Sequence, residues 1–510
     1  MGTGPTPGSK MIRARHCLLA VAALLLEAGC SGSLQLEKPA AFPPQYSEAQ
    51  PDAATPMSAQ DLAAWWTQYD DPTLNKLIEL ALAHNFDIAT AYARVDQVQA
   101  GIRLARSQLL PSLGASVSGA RFHGGETQLE FAQFLGITNT DAQFFRVGLQ
   151  AQWEIDLFGQ GRSRLSAARE QVRAAAGDAE AVRLSVVSGV ADLYVTYRGL
   201  LRQRTILLQS RAIADDFVDI AEKSFTAGLV MSTDIEAARA GRAQVDARLQ
   251  DLENGIAQAR LNLQNLCGVQ PAEFAGILDE SDTLMTALPH IEPGQPVDLL
   301  MRRPDLIAAQ ARVNAAVRQS DVARLNYWPT ISLSGMLARN GWEFAGQNLG
   351  TSTFWLFGAA MAMPLIDFGA RRSQVESSDA QAQQAMFNYE KTALGAFYDV
   401  ERALARLNRQ DELFNARNEE VARRTTQLNQ VRRRYELGDT GRVDIDQVRV
   451  ALLESQSSQA REEVGKLQAQ FALFRAMGGG WLANPPVAAN PQTPTGPAPA
   501  AGNAPAPASQ

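Results

Sequence analysis

Side chains that could do chemistry are scattered along this 510-residue chain rather than clustered as catalysis or metal binding requires. The four histidines, at positions 16, 84, 123 and 290, are far apart. There is no pair of histidines one helical turn apart, no CxxC pair, no phosphate-binding loop and no nucleophile elbow. The sequence therefore predicts that the protein is not an enzyme and that it holds no metal or other cofactor.

One cysteine has a sequence context that indicates covalent modification. Two arginines precede the apolar run 17–26, which leads into Glu-Ala-Gly-Cys at 27–30. A charged start followed by an apolar run is typical of a secretory signal peptide. The Ala-Gly-Cys ending is similar to the bacterial lipobox, so we expect residues 1–29 to be removed and Cys30 to carry lipid. Glu27 stands where the lipobox usually has leucine, and ordinary cleavage nearby is the alternative.

Two aspartates, Asp156 and Asp367, lie where alternating sequence changes to helical sequence. A phenylalanine and then a glycine follow each of them closely. At such a position a carboxylate accepts hydrogen bonds from the first free backbone N–H groups of a helix, and glycine permits the bend. We predict that both residues are strand-to-helix caps rather than binding residues.

The elements that position these residues occur twice, because the chain contains a long internal duplication. Ala91–Val95 (AYARV) recurs 218 positions later as Ala309–Val313 (AQARV). Further along the spacing is 210, as between Gly228 and Gly438, so one insertion in the first half explains the difference. A period near 210 is far longer than a solenoid repeat, and it predicts two equivalent structural halves.

The segments outside the duplication have a different composition. Prolines recur between 39 and 56, which predicts an extended tether, and the chain after Trp481 is mostly Pro, Ala, Asn and Gly. The predicted order is a lipoprotein signal peptide (1–29), a lipid-anchored tether (30–58), the first repeat (59–269), a connector (270–296), the second repeat (297–481) and a disordered tail (482–510).

Each repeat contains one stretch in which every second residue is apolar. Between 147 and 155, apolar residues alternate with Gln150, Gln152 and Glu154, which predicts a strand with one apolar and one polar face. The predicted hairpins span about 112–155 and about 330–366. Their strands are about ten or more residues long, the length that a tilted strand needs to cross a bilayer.

The rest of the two repeats has a helical period. Residues 161–225 contain no proline and have apolar residues about every 3.5 positions, which is typical of a coiled-coil seam in a helix about 95–100 Å long. Glycines at 228 and 438 end the long helices. The predicted helices are 73–110, 161–225, 232–266, 371–437 and 443–476.

The charge and hydropathy of the chain exclude other classes. The net charge is −7 and there is no basic patch, which argues against a nucleic-acid partner. After the N-terminal segment, no apolar run reaches the ~18–20 residues of a membrane-spanning helix. If the chain crosses a membrane, the hairpins must do so.

Several short motifs, in this order and inside this duplication, resemble the TolC-like outer-membrane efflux factors. The similarity is greatest to the lipoprotein (NodT-type) branch, which supplies the outer-membrane component of tripartite drug efflux pumps, and it covers roughly 65–481. The motifs are Trp65-Trp66, Asp71-Pro72-Thr73-Leu74, Arg302-Arg303-Pro304-Asp305, Tyr327-Trp328-Pro329 and Arg434-Tyr435-Glu436-Leu437-Gly438.

The resemblance implies an α+β membrane protein that acts as a homotrimer. Four strands per chain cannot close a barrel, and an open sheet edge in lipid leaves backbone groups unpaired. In this family three chains form one twelve-stranded transmembrane β-barrel above a long coiled-coil α-helical tunnel in the periplasm. Polar and apolar strand faces are then expected to face the lumen and the lipid.

The resemblance also implies a gate at the periplasmic tips of the helices, which in this family closes like an iris. Arg434 and Tyr435 match the lock positions, and Asp444 matches the first acidic position. The next acidic position is Gln447, which leaves open whether Asp446 replaces it, and each residue could equally be an ordinary exposed helix residue. The candidate gate residues are Arg434, Tyr435, Asp444, Asp446 and, in the first repeat, Asp234 and Glu236.

The resulting expectation is the outer-membrane exit channel of a tripartite pump of the RND type. Such a channel conducts small molecules passively and works with a periplasmic adaptor protein, an inner-membrane RND-type transporter and outer-membrane lipid. The alternatives are the exit duct of a type I protein-secretion system and, more distantly, a non-conducting envelope scaffold.

Overall fold

The computed structural model describes residues 43–48, 62–122, 142–285, 295–344 and 347–481. The signal peptide, Cys30, most of the tether, the middle of the connector and the C-terminal tail lie outside the described residues. Within the described part of the chain, no helix combines the length and apolar character needed to cross a membrane.

The described residues form helices and one sheet. A short 3-10 helix, Trp65–Tyr69, precedes the first α-helix, and another, Pro296–Asp298, follows the connector. The α-helices are α1 (Pro72–His84), α2 (Phe86–Ser107), α3 (Gln160–Thr226), α4 (Ser232–Cys267), α5 (Pro271–Phe274), α6 (Leu299–Arg302), α7 (Pro304–Leu325), α8 (Ala370–Glu436) and α9 (Arg442–Ala476). The strands are β1 (Ser112–Phe122), β2 (Ala142–Ile155), β3 (Thr330–Phe344) and β4 (Gln347–Ala362).

The four strands form one antiparallel sheet in the order β1-β2-β3-β4. The inner strand of the first hairpin, β2, pairs with the inner strand of the second hairpin, β3, so that Leu149 is opposite Leu337. The two predicted hairpins are confirmed, although β4 ends at Ala362 rather than near 366. Pro364 lies two residues after the end of β4, and proline ends a ladder because it has no N–H to donate.

The long helices were also predicted, with one exception. The stretch 73–110, expected to be one helix, is divided into α1 and α2 at Asn85. The Asn85 side chain accepts hydrogen bonds from the backbone N–H groups of Asp87 (2.8 Å) and Ile88 (3.0 Å). It therefore caps a new helix, and the prediction of a single helix is wrong.

The described residues form two compact units, and each draws on both repeats. One unit comprises 102–169 and 313–386 and contains the sheet. The other comprises the described parts of 40–101, 170–312 and 387–510. Its main core surrounds Trp65, which is fully buried and stacks on Phe474 with ring centroids 5.0 Å apart.

Equivalent contacts repeat the duplication inside the second unit. The Asn85 amide donates to the carbonyl oxygen of Leu266 (2.7 Å), near the end of α4. In the second repeat, Arg303 donates to the carbonyl oxygen of Ala476 (3.0 Å), at the end of α9. The donors are 218 positions apart and the acceptors 210, the same spacings as in the sequence, so this contact is equivalent in the two repeats.

Candidate functional site

The candidate site consists of two helix-hairpin tips. The first tip, residues 227–231, connects α3 to α4, and the second tip, residues 437–441, connects α8 to α9. Each long helix ends at a glycine with positive φ, +73° at Gly228 and +77° at Gly438. Only glycine adopts this conformation without strain, which explains why the helices stop there.

The hydrogen bonds that end α3 and α8 are the same. The N–H of Leu229 donates to the carbonyl of Ser224 (2.9 Å) and that of Gly228 to the carbonyl of Phe225 (2.9 Å). The second tip repeats this pair, from Asp439 to Arg434 and from Gly438 to Tyr435, at 2.9 Å each. This pattern is the Schellman motif, which satisfies the last carbonyls of a helix.

The returning helices begin with a carboxylate at their third residue. Asp234 accepts a hydrogen bond from the backbone N–H of Met231 (2.8 Å), and Asp444 accepts one from Gly441 (2.9 Å). Asp444 also accepts from the hydroxyl of Thr440 at 2.5 Å. The Thr440 hydroxyl, and next the Gly441 N–H, lower the pKa of Asp444 below its ordinary value. The carboxylate is therefore ionised at neutral pH.

The two residues matched to the lock make local contacts in the single chain. Arg434, near the end of α8, donates from Nε to Asp439 (3.0 Å), which lies on the second tip. Both side chains are exposed, and an exposed ion pair of this kind stabilises by ~0–1 kcal/mol. Tyr435, one residue further on, is also exposed.

Asp446 has a different environment from the other candidate gate acids, because only 2 % of it is exposed. Arg449 Nη1 lies 3.3 Å from one of its carboxylate oxygens, and Arg442 Nε lies 3.7 Å from the other. Arg442 also donates to Asp216 on α3 at 2.9 Å. We call Asp216, Arg442, Asp446 and Arg449 the tip ion-pair cluster.

The tip ion-pair cluster includes residues that sequence reasoning missed. Arg442 is the first residue of α9, where a positive charge is unfavourable beside the positive end of the helix dipole. An arginine at this position is therefore a signal that a carboxylate compensates it. The identity of that carboxylate, Asp216, depends on the packing of α3 beside α9 and has no signal in the sequence.

The first tip differs from the second in charge and polarity. Leu229 and Met231 are exposed there, at 78 % and 73 %, in the positions that Asp439 and Gly441 have in the second tip. Glu236, the remaining candidate, pairs with Arg239 (3.0 Å), and Arg239 also pairs with Glu222 on α3 (2.9 Å). The structure therefore places Glu236 in an ion pair with Arg239.

The predicted strand-to-helix caps lie in the unit that contains the sheet. Asp156 accepts hydrogen bonds from the N–H groups of Gly161 and Arg162, both at 2.9 Å. Partial burial raises the pKa of Asp156, but the hydrogen bonds from Arg162 and Gly161 outweigh it and lower the pKa overall. Asp367 accepts from the Arg371 side chain at 2.6 Å and from the Arg371 N–H at 3.2 Å.

Within the described ranges, no group of three His, Cys, Asp or Glu side chains is arranged to hold a metal ion. The site thus consists of helix ends, ion pairs and exposed tips. Such an arrangement can control the width and the charge of a passage between helices.

Comparison with known proteins identifies the class. The family model described as outer membrane efflux protein matches residues 77–269 and 296–479, and the chain belongs to that family. The resemblance to outer-membrane efflux factors inferred from the short motifs is confirmed. The protein is therefore an efflux protein of the outer membrane.

Individual relatives match over nearly the whole chain. The pyoverdine export outer membrane protein OpmQ of Pseudomonas aeruginosa is 28% identical over 479 residues, 92% of this chain and 97% of OpmQ. Outer membrane protein OprJ of the same organism is 30% identical over 484 residues, 90% of this chain and 96% of OprJ. The solved structure of the outer-membrane channel OprN has a TM-score of 0.75 and 26% identity, and covers 89% of this chain and 100% of OprN.

Proposed function

We propose that the protein is the exit duct of a tripartite efflux pump and conducts small molecules passively across the outer membrane. The observation that carries this proposal is the four-stranded sheet. One of its faces exposes many large apolar side chains, and its two outer strands, β1 and β4, have unpaired edges. The exposed residues on this face include Leu113, Val117, Phe145, Val147, Leu149, Leu337, Trp355, Phe357 and Met361.

A barrel closed by several copies in a membrane would pair the open edges and cover the exposed apolar face. In hydrocarbon, each unpaired backbone group costs several kcal/mol, so β1 of one chain must pair with β4 of another. Three copies give twelve strands, and closing the sheet removes every edge. The apolar face then contacts lipid and the polar face lines an aqueous lumen.

A second surface supports association with other copies. On α8, Phe387, Leu394 and Tyr398 are exposed at 65 %, 54 % and 51 %. Their spacing of seven and four residues places them on one face of the helix. Exposed apolar side chains on one helix face are typical of a protein interface, which fits a neighbouring copy packed along α8.

The remaining partners follow from the tripartite proposal. A periplasmic adaptor protein would contact the helix tips, and an inner-membrane transporter of the RND type would supply the energy. Lipid on Cys30 would tether the mature N-terminus to the membrane. Cys30→Ser should abolish labelling by radioactive fatty acid, and labelling that persists in this variant would exclude Cys30 as the lipidated residue.

We place the gate at the two tips, which three copies would repeat around one axis. Asp444 is ionised and Asp446 is buried in an ion-pair cluster, so Asp444 is the better candidate for an acidic ring that attracts cations. Asp444→Ala should weaken cation preference. If Asp234→Ala has that effect and Asp444→Ala does not, the ring lies on the first tip.

Planar-bilayer recording of the purified protein tests the proposed function. Discrete, uniform conductance steps are expected, because one closed barrel forms one pore. The control is a preparation in which the trimer has been dissociated by heat, and it should show no conductance steps. Assembled protein that inserts into the bilayer without any conductance would contradict the proposal and favour a scaffold.

A further inference from the structure

The polar face of the sheet carries an arginine, Arg146, which is held in a fixed orientation. Arg146 on β2 is opposite Asn340 on β3. Its Nε donates to Oδ1 of Asn340 at 2.9 Å, and Asn340 is 8 % exposed. A hydrogen bond to a buried amide restricts the arginine side chain, so its guanidinium has a defined position on this face.

Aromatic rings surround this guanidinium on the same face. The Arg146 Cζ lies 5.2 Å from the ring centroid of Phe144 and 6.0 Å from that of Phe354, both within the range of a cation–π contact. The Phe144 ring packs against Trp342 with centroids 4.6 Å apart. Trp342 keeps 47 % of its surface exposed, so a molecule can reach the cluster.

No residue in the described part of the chain neutralises the charge of Arg146. Among the residues that the structure describes, no carboxylate forms an ion pair with Arg146, and Asn340 is its only hydrogen-bond partner. Glu343 is opposite Gln143 and lies on the other face, because successive residues alternate between the two faces. Glu154 shares the face but is eight residues along β2, roughly 27 Å away.

We propose that Arg146, Phe144, Trp342 and Phe354 form a subsite for anionic aromatic molecules inside the duct. The Nη1 and Nη2 groups remain to donate to a carboxylate in a forked geometry, and the rings offer stacking surfaces to its aromatic body. The inference rests on the proposed function, since this face lines a lumen only in the closed barrel. Three copies then place three cations around the lumen, which favours anions there.

A matched control exists on the opposite face. Arg339 is opposite Val147, one residue further along the same strand pair, and it donates to the hydroxyl of Thr351 at 3.1 Å. It therefore belongs to the apolar, lipid-facing side of the sheet. Removing its charge should leave ion passage through the lumen unchanged.

The test is the reversal potential of single channels under a KCl gradient, with Arg146→Gln and Arg339→Gln compared. Arg146→Gln should shift the reversal potential toward cation preference and raise the salicylate concentration for half-block about tenfold, as expected when a charge-assisted hydrogen bond is lost. Benzyl alcohol is neutral, so its concentration for half-block should be the same for both variants. Arg146→Lys should retain the ion preference and lose much of the salicylate block.

Two outcomes separate this inference from the proposed function. Wild-type protein that never conducts would overturn the proposed function. Wild-type channels that conduct, with Arg146→Gln unchanged in reversal potential and salicylate block or no different from Arg339→Gln, would overturn the subsite while the duct stands.

Discussion

Aspartates in this protein have different roles that depend on where they lie relative to a helix start. Asp156 and Asp444 each accept hydrogen bonds from free backbone N–H groups at the beginning of a helix. Asp446, two residues after Asp444, is instead enclosed by arginines. The capping role follows from sequence position and can be predicted, whereas burial of Asp446 depends on the helices packed around it.

The Asp156 cap should make a pH-dependent contribution to stability. Its pKa is lowered from 3.8 in the folded protein, so the contribution is complete above pH 3.8 and is lost as the pH falls through the lower folded value. Asp156→Ala should reduce the free energy of unfolding by ~1 kcal/mol at neutral pH. Thermal unfolding of both proteins should show this difference shrinking below pH 3.8, and a constant difference would argue against the cap.

At the scale of elements, hydrophobic periodicity predicted the outer bounds of the two hairpins and of the long helices to within a few residues. Long uninterrupted helices and alternating strands have strong local signals. The division of 73–110 at Asn85 had a local signal, because asparagine is a preferred N-cap residue, and that signal was missed. The second contact of Asn85 is with Leu266, 181 positions away, and it has no signal in the local sequence.

Two glycines with the same backbone conformation should respond differently to alanine. Gly228 has a φ of +73°, and a methyl group added there would meet no atom within 4 Å. Gly268 has a φ of +70°, and its added methyl group would overlap the carbonyl of His84. Gly228→Ala should therefore cost only the left-handed backbone strain, about 1–2 kcal/mol. Gly268→Ala should lower the thermal midpoint further, and equal midpoints would show that α1 can move aside.

The tip ion-pair cluster should hold the helix pairs together more firmly than the local pair at Arg434. Arg442 joins α9 to α3, whereas Arg434 pairs with Asp439, only five residues further along the chain. Arg442→Gln should thus raise single-channel conductance more than Arg434→Ser combined with Tyr435→Phe. The reverse order would indicate that the lock acts between chains through Arg434 and Tyr435.

At the scale of the whole molecule, the sequence predicted a duplicated chain, and the side-chain contacts of Asn85 and Arg303 carry the same duplication. Neither the sequence nor the tips of one chain determine which groups meet across copies. Those contacts depend on how the exposed apolar surfaces of the sheet and of α8 are covered. The number of copies is therefore the quantity on which the proposed duct most depends.

Adjacent residues on β2 should distinguish the two faces of the sheet in the assembled protein. Leu149 is opposite Leu337 and Gln150 is opposite Met336. Leu149→Arg would place a charge against lipid at a cost of ~2–4 kcal/mol near the midplane, so the yield of assembled protein in outer membranes should fall. Gln150→Arg should assemble normally, and equal yields would mean that the faces are assigned wrongly.

Native mass spectrometry of the detergent-solubilised mature protein tests the central claim most directly, because it counts the copies that close the sheet. Each copy supplies four strands with two open edges, and three copies give the twelve strands of the proposed barrel. We expect a single dominant species with three times the mass of the mature chain. A dominant species of one or two copies would contradict the account.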